Sequence, residues 1–380
     1  MFVYLDNSAT TRQYDQVTAI MKEAMEDCFG NPSSLHSLGL ASEKRMRESR
    51  RMTAATLGAK EEEITFNSGG TEGDNTVLYG IARARRREGK KIITSAVEHP
   101  AVLEACKVLE RDGFVVEYIG VDDQCRLNME QMKAAVDDET ILISIMAVNN
   151  EVGTVMPLSE IAAVKGRAVF HTDAVQGYGK IDMRNTGADL ITVSGHKIHG
   201  PKGTGALYAR KGVRLPAFLA GGGQERGMRS GTENVPGILG FGKAAEMACC
   251  RLPERRAQME KVRDYLLTGL CEELTDLRIN SPKGPDAACS VLNISFMGTR
   301  GEVLLHTLEQ DGIFVSTGSA CSSNKKGQSH VLAAMGLKPK EIEGAIRFSF
   351  SEFNTVQEMD YVIDKVKSAV DRFRKLGSFR

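Results

Sequence analysis

One lysine of this 380-residue chain lies in a short polar loop directly after a predicted buried strand. That strand covers residues 188–193, and its apolar composition is typical of a buried member of a parallel sheet. The lysine is Lys197. A second predicted strand, residues 168–172, is followed by Asp173 and Gln176. Ligands bind at the carboxyl ends of the strands in open α/β sheets, so we expect these side chains to share one site.

The residue types after these two strands match the needs of pyridoxal 5'-phosphate (PLP). PLP requires a lysine that bonds to its aldehyde, an acid that holds its ring nitrogen, and donors for its phosphate. Lys197 and Asp173 suit the first two needs, and Ser194 and His196 suit the third. Taken alone, such a lysine is usually only solvated, and Asp173 could be a helix cap or a turn residue. The convergence of four suitable groups at two strand ends favours a cofactor site.

Two motifs resemble those of class V, fold-type I PLP enzymes, and more narrowly of cysteine desulfurases: Asp-Ala-Val-Gln at 173–176 and Ser-Gly-His-Lys at 194–197. The resemblance runs nearly end to end, from residues 5–11 through residues 30–36 to Arg347. It implies that the lysine carries PLP, the aspartate keeps the ring nitrogen protonated, and the glutamine donates to the phenolic oxygen. The serine and the histidine of the second motif would hold phosphate oxygens.

Residues 64–75 have the pattern of a strand, a glycine turn and the start of a helix. Glycine allows a ligand to approach the backbone, and a helix N-terminus offers N–H groups to a phosphate. The stretch matches neither the nucleotide P-loop nor the dinucleotide-binding G-x-G-x-x-G motif. The alternative is a plain helix start in which Thr71 and Asp74 form a capping box. The resemblance implies that Gly70 and Thr71 bind the PLP phosphate.

Three further side chains gain a role from the resemblance. His99 follows the predicted strand at 91–95, and the family places there a histidine that stacks on the ring and acts as an acid or base. By itself His99 would be interpreted as a surface residue. Asn150 would donate to the phenolic oxygen or to the substrate carboxylate. Arg347 lies inside a predicted strand and needs an anion, which is the substrate α-carboxylate in the family and an internal salt bridge in the alternative.

Cys321 lies in a small, polar, lysine-bearing stretch, residues 316–327, and such surroundings favour the thiolate. This stretch resembles the long-loop, NifS/IscS type of cysteine desulfurase. The resemblance implies that Lys197 moves the Cα proton of L-cysteine and that the Cys321 thiolate attacks the substrate sulfur. The products would be L-alanine and a persulfide on Cys321. The alternatives are a selenocysteine lyase, a class V aminotransferase and, least favoured, a non-catalytic scaffold.

The resemblance also implies partners. Residues 221–234 are glycine-rich and basic, which by composition indicates an anion-binding loop. In the family, the threonine at the position of Thr232 reaches the phosphate of the neighbouring subunit, so we expect a homodimer. The persulfide would pass to a sulfur-acceptor protein, either an iron–sulfur scaffold or a thiolation enzyme.

Strand and helix patterns alternate from about residue 60 to residue 210, which predicts a doubly wound, mostly parallel sheet. The later part of the chain has the pattern of a smaller α+β domain. We therefore expect an α/β protein of fold type I, with a large domain at 16–250 and a small domain formed by 1–15 and 251–380. The assignment of the first residues to the small domain rests on the resemblance. The connection at 159–167 is short for a full crossover helix.

Composition excludes several function classes. Lysine plus arginine equals aspartate plus glutamate at 49 each, so no overall field attracts nucleic acid or an anionic membrane. No apolar run reaches the roughly 18 residues of a spanning helix. The eight cysteines show no C-x-x-C pair and no metal-ligand spacing. These features predict a cytoplasmic protein with no metal site, no membrane attachment and no direct nucleic-acid contact.

Overall fold

The computed structural model of the chain describes residues 1–317 and 328–377, so Cys321 lies outside the described residues. The described part contains twelve strands: β1 (Val3–Tyr4), β2 (Ile64–Asn67), β3 (Lys91–Ser95), β4 (Val115–Ile119), β5 (Thr140–Ser144), β6 (Val169–Asp173), β7 (Leu190–Ser194), β8 (Gly205–Ala209), β9 (Leu277–Ile279), β10 (Val291–Phe296), β11 (Ile313–Phe314) and β12 (Ala345–Ser349). It also contains twelve α-helices: α1 (Asp15–Asp27), α2 (Ser37–Leu57), α3 (Gly70–Arg85), α4 (Pro100–Arg111), α5 (Met129–Ala135), α6 (Leu158–Val164), α7 (Val235–Cys250), α8 (Leu252–Glu273), α9 (Gly301–Gln310), α10 (His330–Ala334), α11 (Pro339–Glu343) and α12 (Val356–Lys375).

Seven strands form the larger sheet in the order β2-β8-β7-β6-β5-β3-β4. The five strands from β7 to β4 run parallel, and β8 is antiparallel to both of its neighbours. Every residue of β5, β6 and β7 is buried, as expected for strands covered on both faces. The mostly parallel sheet confirms the predicted α/β class.

Helices cover both faces of this sheet. Successive residues of a strand point to opposite faces, and they belong here to different hydrophobic clusters. Ile92 and Val169 pack with α3 and α4, whereas Ile93 and Phe170 pack with α1, α2 and α7. This doubly wound arrangement leaves the carboxyl ends of the strands as the place where a ligand can bind.

A second, three-stranded antiparallel sheet has the order β12-β10-β9, and β1 pairs in parallel with β11. Val3 and Leu5 join a separate hydrophobic cluster with residues of α8, α12 and this sheet. The first residues of the chain therefore pack with elements from its last third. Helix α12 begins with a capping box formed by Thr355 and Glu358.

The structure differs from the sequence-based expectation in two places. The seven-residue helix α6 begins at Leu158 and fills most of the connection at 159–167, although the length of this connection argued against a full crossover helix. Strand β9 was not predicted, because three residues are too few to show a periodic pattern. None of the described helices is both long enough and apolar enough to cross a membrane.

Candidate active site

A cavity of about 340 Å³ lies at the carboxyl ends of β5, β6 and β7. Ten of the residues predicted from the sequence line it: Gly70, Thr71, His99, Asn150, Asp173, Gln176, Ser194, His196, Lys197 and Arg347. Thr232 does not line this cavity and is exposed. A larger groove, about 900 Å³, lies beside α2, α7 and α8, and none of the predicted site residues lines it.

The turn after β7 sets the position of Lys197. Residues Gly195–Lys197 form a single 3₁₀ turn directly after the strand, and the N–H of Ile198 donates to the carbonyl of Gly195 at 3.0 Å. A Cβ atom on Gly195 would lie 2.9 Å from the carbonyl oxygen of Pro201, so the turn requires glycine. The lysine is thereby held at the strand end, beside Asp173 on the neighbouring strand β6.

The first residues of the chain hold this turn from the other side. The Lys197 amine donates to the backbone carbonyls of Ser8 and Ala9, the latter at 2.8 Å. The hydroxyl of Thr11 donates to the carbonyl of His196 at 2.9 Å and accepts from the N–H of His199 at 2.8 Å. Sequence reasoning missed the role of Ser8 and Ala9, because a carbonyl group is common to every residue type.

Buried carboxyl groups form the floor of the cavity. Asp173 is 5% exposed and accepts the N–H of Val175 at 2.9 Å. Burial raises the pKa of Asp173, whereas that N–H and the nearby His99 and Lys197 lower it. Asp74 is also buried, burial raises its pKa, and its Oδ1 atom has no hydrogen-bond partner among the described residues. Acidic groups held in this way provide a site that favours a protonated nitrogen.

His171 lies in β6, two residues before Asp173, and is fully buried. The hydroxyls of Ser144 and Thr192 each lie 2.9 Å from one of its ring nitrogens. Burial lowers its pKa to about 3, so it is neutral at physiological pH. Burial also lowers the pKa of His99, which lines the cavity. The Nδ1 atom of His99 accepts the N–H of Ala101 at 3.1 Å and so caps helix α4.

The other end of the cavity is suited to a phosphate. Helix α3 begins at Gly70, and no side chain caps it. The capping box proposed for Thr71 and Asp74 does not form, because Gly69 is the N-cap residue and Thr71 already lies inside the helix. The first N–H groups of a helix have no acceptor within the helix, so they can bind an anion. Ser194 and His196 lie at the same end, where an adjoining open cavity shares both with Thr71.

Arg347 is buried at the opposite side of the cavity. Its Nη2 atom donates to Asp6 at 2.8 Å, and its Nη1 atom donates to the backbone carbonyl of Asn150 at 3.0 Å. Its Nε atom has no hydrogen-bond partner among the described residues. The internal salt bridge of Arg347, which the sequence analysis considered as the alternative role, is thus present with Asp6 as its partner. The other N–H groups of the guanidinium remain available to bind a ligand. Asp6 lies within the stretch that carries the resemblance, but sequence reasoning gave it no role.

The chain on either side of Cys321 reaches the same cavity. Ser316 and Ser329 both line it, and Ser316 forms backbone hydrogen bonds with Arg347. The hydroxyl of Ser329 donates to the carboxyl group of Glu151, whose pKa burial raises to about 7. Residues 317 and 328, which flank the undescribed segment, are therefore each one residue from the cavity wall.

His330 also lines this cavity, and it contacts the buried residue Glu98. The Glu98 carboxyl group is fully buried and accepts the N–H of Met146 at 3.0 Å and the hydroxyl of Ser95 at 2.6 Å. Burial raises its pKa to about 8. The Nε2 atom of His330 lies 3.0 Å from the carbonyl of Glu98, and this carbonyl can only accept. Sequence reasoning assigned no role to either residue.

The loop that carries Thr232 is fixed by a buried ion pair. Both carboxylate oxygens of Glu225 accept from Arg50, at 2.6 and 2.7 Å, and one of them also accepts the N–H of Phe66. Glu225 and Arg226 adopt left-handed backbone conformations, with φ of 47° and 59°. This pairing holds the loop against β2 and leaves Thr232 exposed.

Comparison with known proteins agrees with this geometry. A family model for class V aminotransferases matches residues 3–362. The cysteine desulfurase IscS of Methanosarcina thermophila is 44% identical over 379 residues, which cover 99% of this chain and 93% of that protein. A solved NifS-like protein matches with a TM-score of 0.92 at 39% identity, over 98% of this chain and 100% of its own. The solved structure of SspA in complex with cysteine matches with a TM-score of 0.81 at 33% identity, over 93% and 100%.

The chain belongs to the class V aminotransferase family. Within that family it is of the NifS/IscS cysteine desulfurase type, to which it is similar along nearly its whole length.

Proposed function

We propose that this protein is a PLP-dependent cysteine desulfurase that converts L-cysteine to L-alanine and leaves the sulfur as a persulfide on Cys321. The observation that carries the proposal is the cavity itself. Lys197, Asp173 and Arg347 line it together, and the described residues on both sides of Cys321 reach its wall. Its similarity to proteins named as cysteine desulfurases supports the same activity.

The donor set of the cavity fits PLP. The Lys197 amine is held beyond the carboxyl end of β7, the buried Asp173 carboxyl group suits a ring nitrogen, and Gln176 lines the same cavity. The uncapped start of α3, with Ser194 and His196, would hold the phosphate. When bound, PLP supplies a ring that accepts electrons from the substrate carbon.

The protein side chains would bind and orient the substrate around that ring. Arg347 would bind the carboxylate of L-cysteine, and Lys197 would move the proton on its Cα atom. The Cys321 thiolate would attack the substrate sulfur, so that an S–S bond forms as the C–S bond breaks. Two protons reach the former Cβ and the Cα of the product, and the net reaction turns cysteine and a thiol into alanine and a persulfide.

The amine and the thiol can be tested separately. Borohydride should fix PLP to the peptide that contains Lys197, and covalent retention in Lys197→Ala would refute the assignment. Cys321→Ser should still bind cysteine, seen as a shift in cofactor absorbance, but release almost no sulfide. Cys271→Ser is the matched control, because Cys271 is an exposed free cysteine. Full sulfide release by the Cys321 variant would remove this thiol from the mechanism.

Two alternatives share the fold. An aminotransferase would need a keto acid and would not need Cys321, so alanine formed from cysteine alone separates the two activities. A selenocysteine lyase would strongly prefer selenocysteine when the two substrates compete. A colourless purified protein that binds no PLP would favour the non-catalytic scaffold.

We also propose a homodimer in which Thr232 reaches the partner's phosphate site. Thr232 is exposed, and several large apolar side chains near residues 25–40 are exposed as well: Met25, Phe29, Leu35, Leu38 and Leu40. A second copy of the chain would cover such a surface. Light scattering tests this, and a fully active monomer would contradict it.

The remaining proposals concern organisation and partners. We propose a large domain at 16–250 and a small domain at 1–15 and 251–380, which is supported by the separate hydrophobic cluster around β10 and β12. We propose a cytoplasmic location and transfer of the persulfide sulfur to an iron–sulfur scaffold or a thiolation enzyme. A pull-down that traps mixed disulfides of Cys321 would identify the acceptor.

A further inference from the structure

A second lysine, Lys180, is buried next to the cavity. Its side chain is 5% exposed and comes within reach of Gln176 because residues 177–180 form a turn. In that turn Gly179 has φ of 70°, and a Cβ atom there would lie 2.9 Å from the side chain of Ile198. The Lys180 amine donates to Oε1 of Gln176 at 2.9 Å.

Charged groups near Lys180 are mostly cationic. They include Lys197, Arg255 and Arg347, and burial together with these cations lowers the pKa of Lys180 to about 7. Lys165 provides a contrast, because its amine pairs with the carboxylate of Asp189. Among the described residues Lys180 forms no such ion pair, and its observed partner is a neutral amide.

This contact sets the orientation of the Gln176 amide. The amide oxygen accepts hydrogen bonds and the amide nitrogen donates them. Because the two ends have nearly the same shape, the neighbouring hydrogen-bond partners decide which end faces which way. The carbonyl of Ser8 can only accept, and it lies 2.9 Å from Nε2 of Gln176. The Lys180 amine donates, and it lies at Oε1. Both neighbours therefore select the orientation in which the amide nitrogen faces Ser8 and the oxygen faces Lys180.

The selected orientation leaves a donor for the cavity. The amide nitrogen carries two N–H groups, of which the Ser8 carbonyl accepts one. Gln176 is buried and lines the cavity, so the second N–H can reach a bound acceptor. Without Lys180, Oε1 would be a buried acceptor with no partner, which is costly and which favours rotation of the amide.

We propose that Lys180 is a positioning residue that fixes the Gln176 amide as a hydrogen-bond donor toward the cofactor oxygen in the cavity. This inference rests on the proposed function, because it assigns PLP to the same site. It gives the buried lysine a role in cofactor retention that is distinct from the covalent role of Lys197.

The test is a double-mutant cycle in the full-length protein loaded with PLP, with release of the cofactor into buffer followed by absorbance. Lys180→Met keeps the length of the side chain but removes the donor, and it should speed release roughly five- to tenfold, within the range for one lost hydrogen bond. In a Gln176→Leu background the same change should alter release by less than about twofold. Equal acceleration in both backgrounds would overturn the proposal, since Lys180 would then act through general stability.

Two further variants sharpen the test. Lys180→Gln retains a donor without a charge and should restore release to near the parent rate, whereas release as fast as in Lys180→Met would overturn the proposal. Lys165→Met is the matched control, because Lys165 does not line the cavity, and it should release PLP at the parent rate. A crystal structure of cofactor-free Lys180→Met should show a rotated Gln176 amide, and an unchanged amide would count against the inference.

These results separate the inference from the function on which it rests. A parent protein that takes up no PLP would refute the proposed function. A parent protein that holds PLP, together with a Lys180→Met variant that releases it at the parent rate, would refute the role of Lys180 alone.

Discussion

Replacement of Arg347 by alanine is the sharpest test of how the substrate is bound. The guanidinium is buried, and of its five N–H groups one is directed to Asp6 and one to the carbonyl of Asn150. The Nε group has no partner among the described residues. A carboxylate can therefore bind to the N–H groups that these two contacts leave.

The size of the effect follows from the number of bonds. Two hydrogen bonds between a guanidinium and a carboxylate, at about 1.5 kcal/mol each as a lower value, give about 3 kcal/mol. This corresponds to a roughly 150-fold weaker binding of cysteine in Arg347→Ala. Cysteamine lacks the carboxylate, so its binding should change little, and the preference of the parent protein for cysteine should largely disappear.

Both amines can be titrated against the absorbance of bound PLP in a Cys321→Ser background, which prevents turnover. Arg278→Ala is the matched control, because Arg278 lies in β9, pairs with Glu341 and does not line the cavity. This control should keep the parent's preference. If Arg347→Ala kept it too, Arg347 would be only the partner of Asp6, and the carboxylate would bind elsewhere, with Asn150 as the next candidate.

Three other predictions concern retention, pH and stability. Thr232→Ala should weaken PLP retention by roughly 1.5–3 kcal/mol, measured by equilibrium dialysis, and unchanged retention would exclude a shared site. Because burial raises the pKa of Glu98 from 4.5 to about 8, the folded protein keeps a proton that the unfolded chain releases, so stability should fall as pH rises from about 5 through 8. Glu98→Gln should show a smaller fall in urea denaturation across this range, and an identical fall would refute the assignment. Arg50→Met should cost about 3–5 kcal/mol in the same assay, because it leaves the Glu225 carboxylate buried and unpaired. The double variant with Glu225→Gln should recover most of that loss, and no recovery would show that packing dominates.

The larger sheet could be predicted from the sequence because its strands are buried and separated by helices. Runs such as Ile141 to Ile145 are apolar, and each follows a helical pattern of clear period. The bounds of β3 agree with those of the predicted strand at 91–95 to the residue. Strand β9 could not be predicted, because its pairing with β10 depends on contacts between distant parts of the chain.

The site was predictable where a residue type carries the chemistry. Lys197, Asp173 and Arg347 are of types that PLP and a carboxylate require, and the structure brings them to one cavity. The contacts that hold them were not predictable. The carbonyl of Ser8 acts through the backbone, and Lys180 acts through an amide whose orientation only the folded structure defines.

The pairing of the first residues with the last third of the chain has a consequence for protein synthesis. Val3 pairs with Ile313, and Asn7 donates to the carbonyl of Ser349. At roughly 5–20 residues per second, a ribosome needs about 17–70 s to make the intervening chain. Val3 and Asn7 must remain without these two partners during that time, when chaperones can bind the growing chain. Arg347, which lines the cavity and donates to Asp6, belongs to the same late stretch, so the cavity cannot be complete before residue 347 has been synthesised.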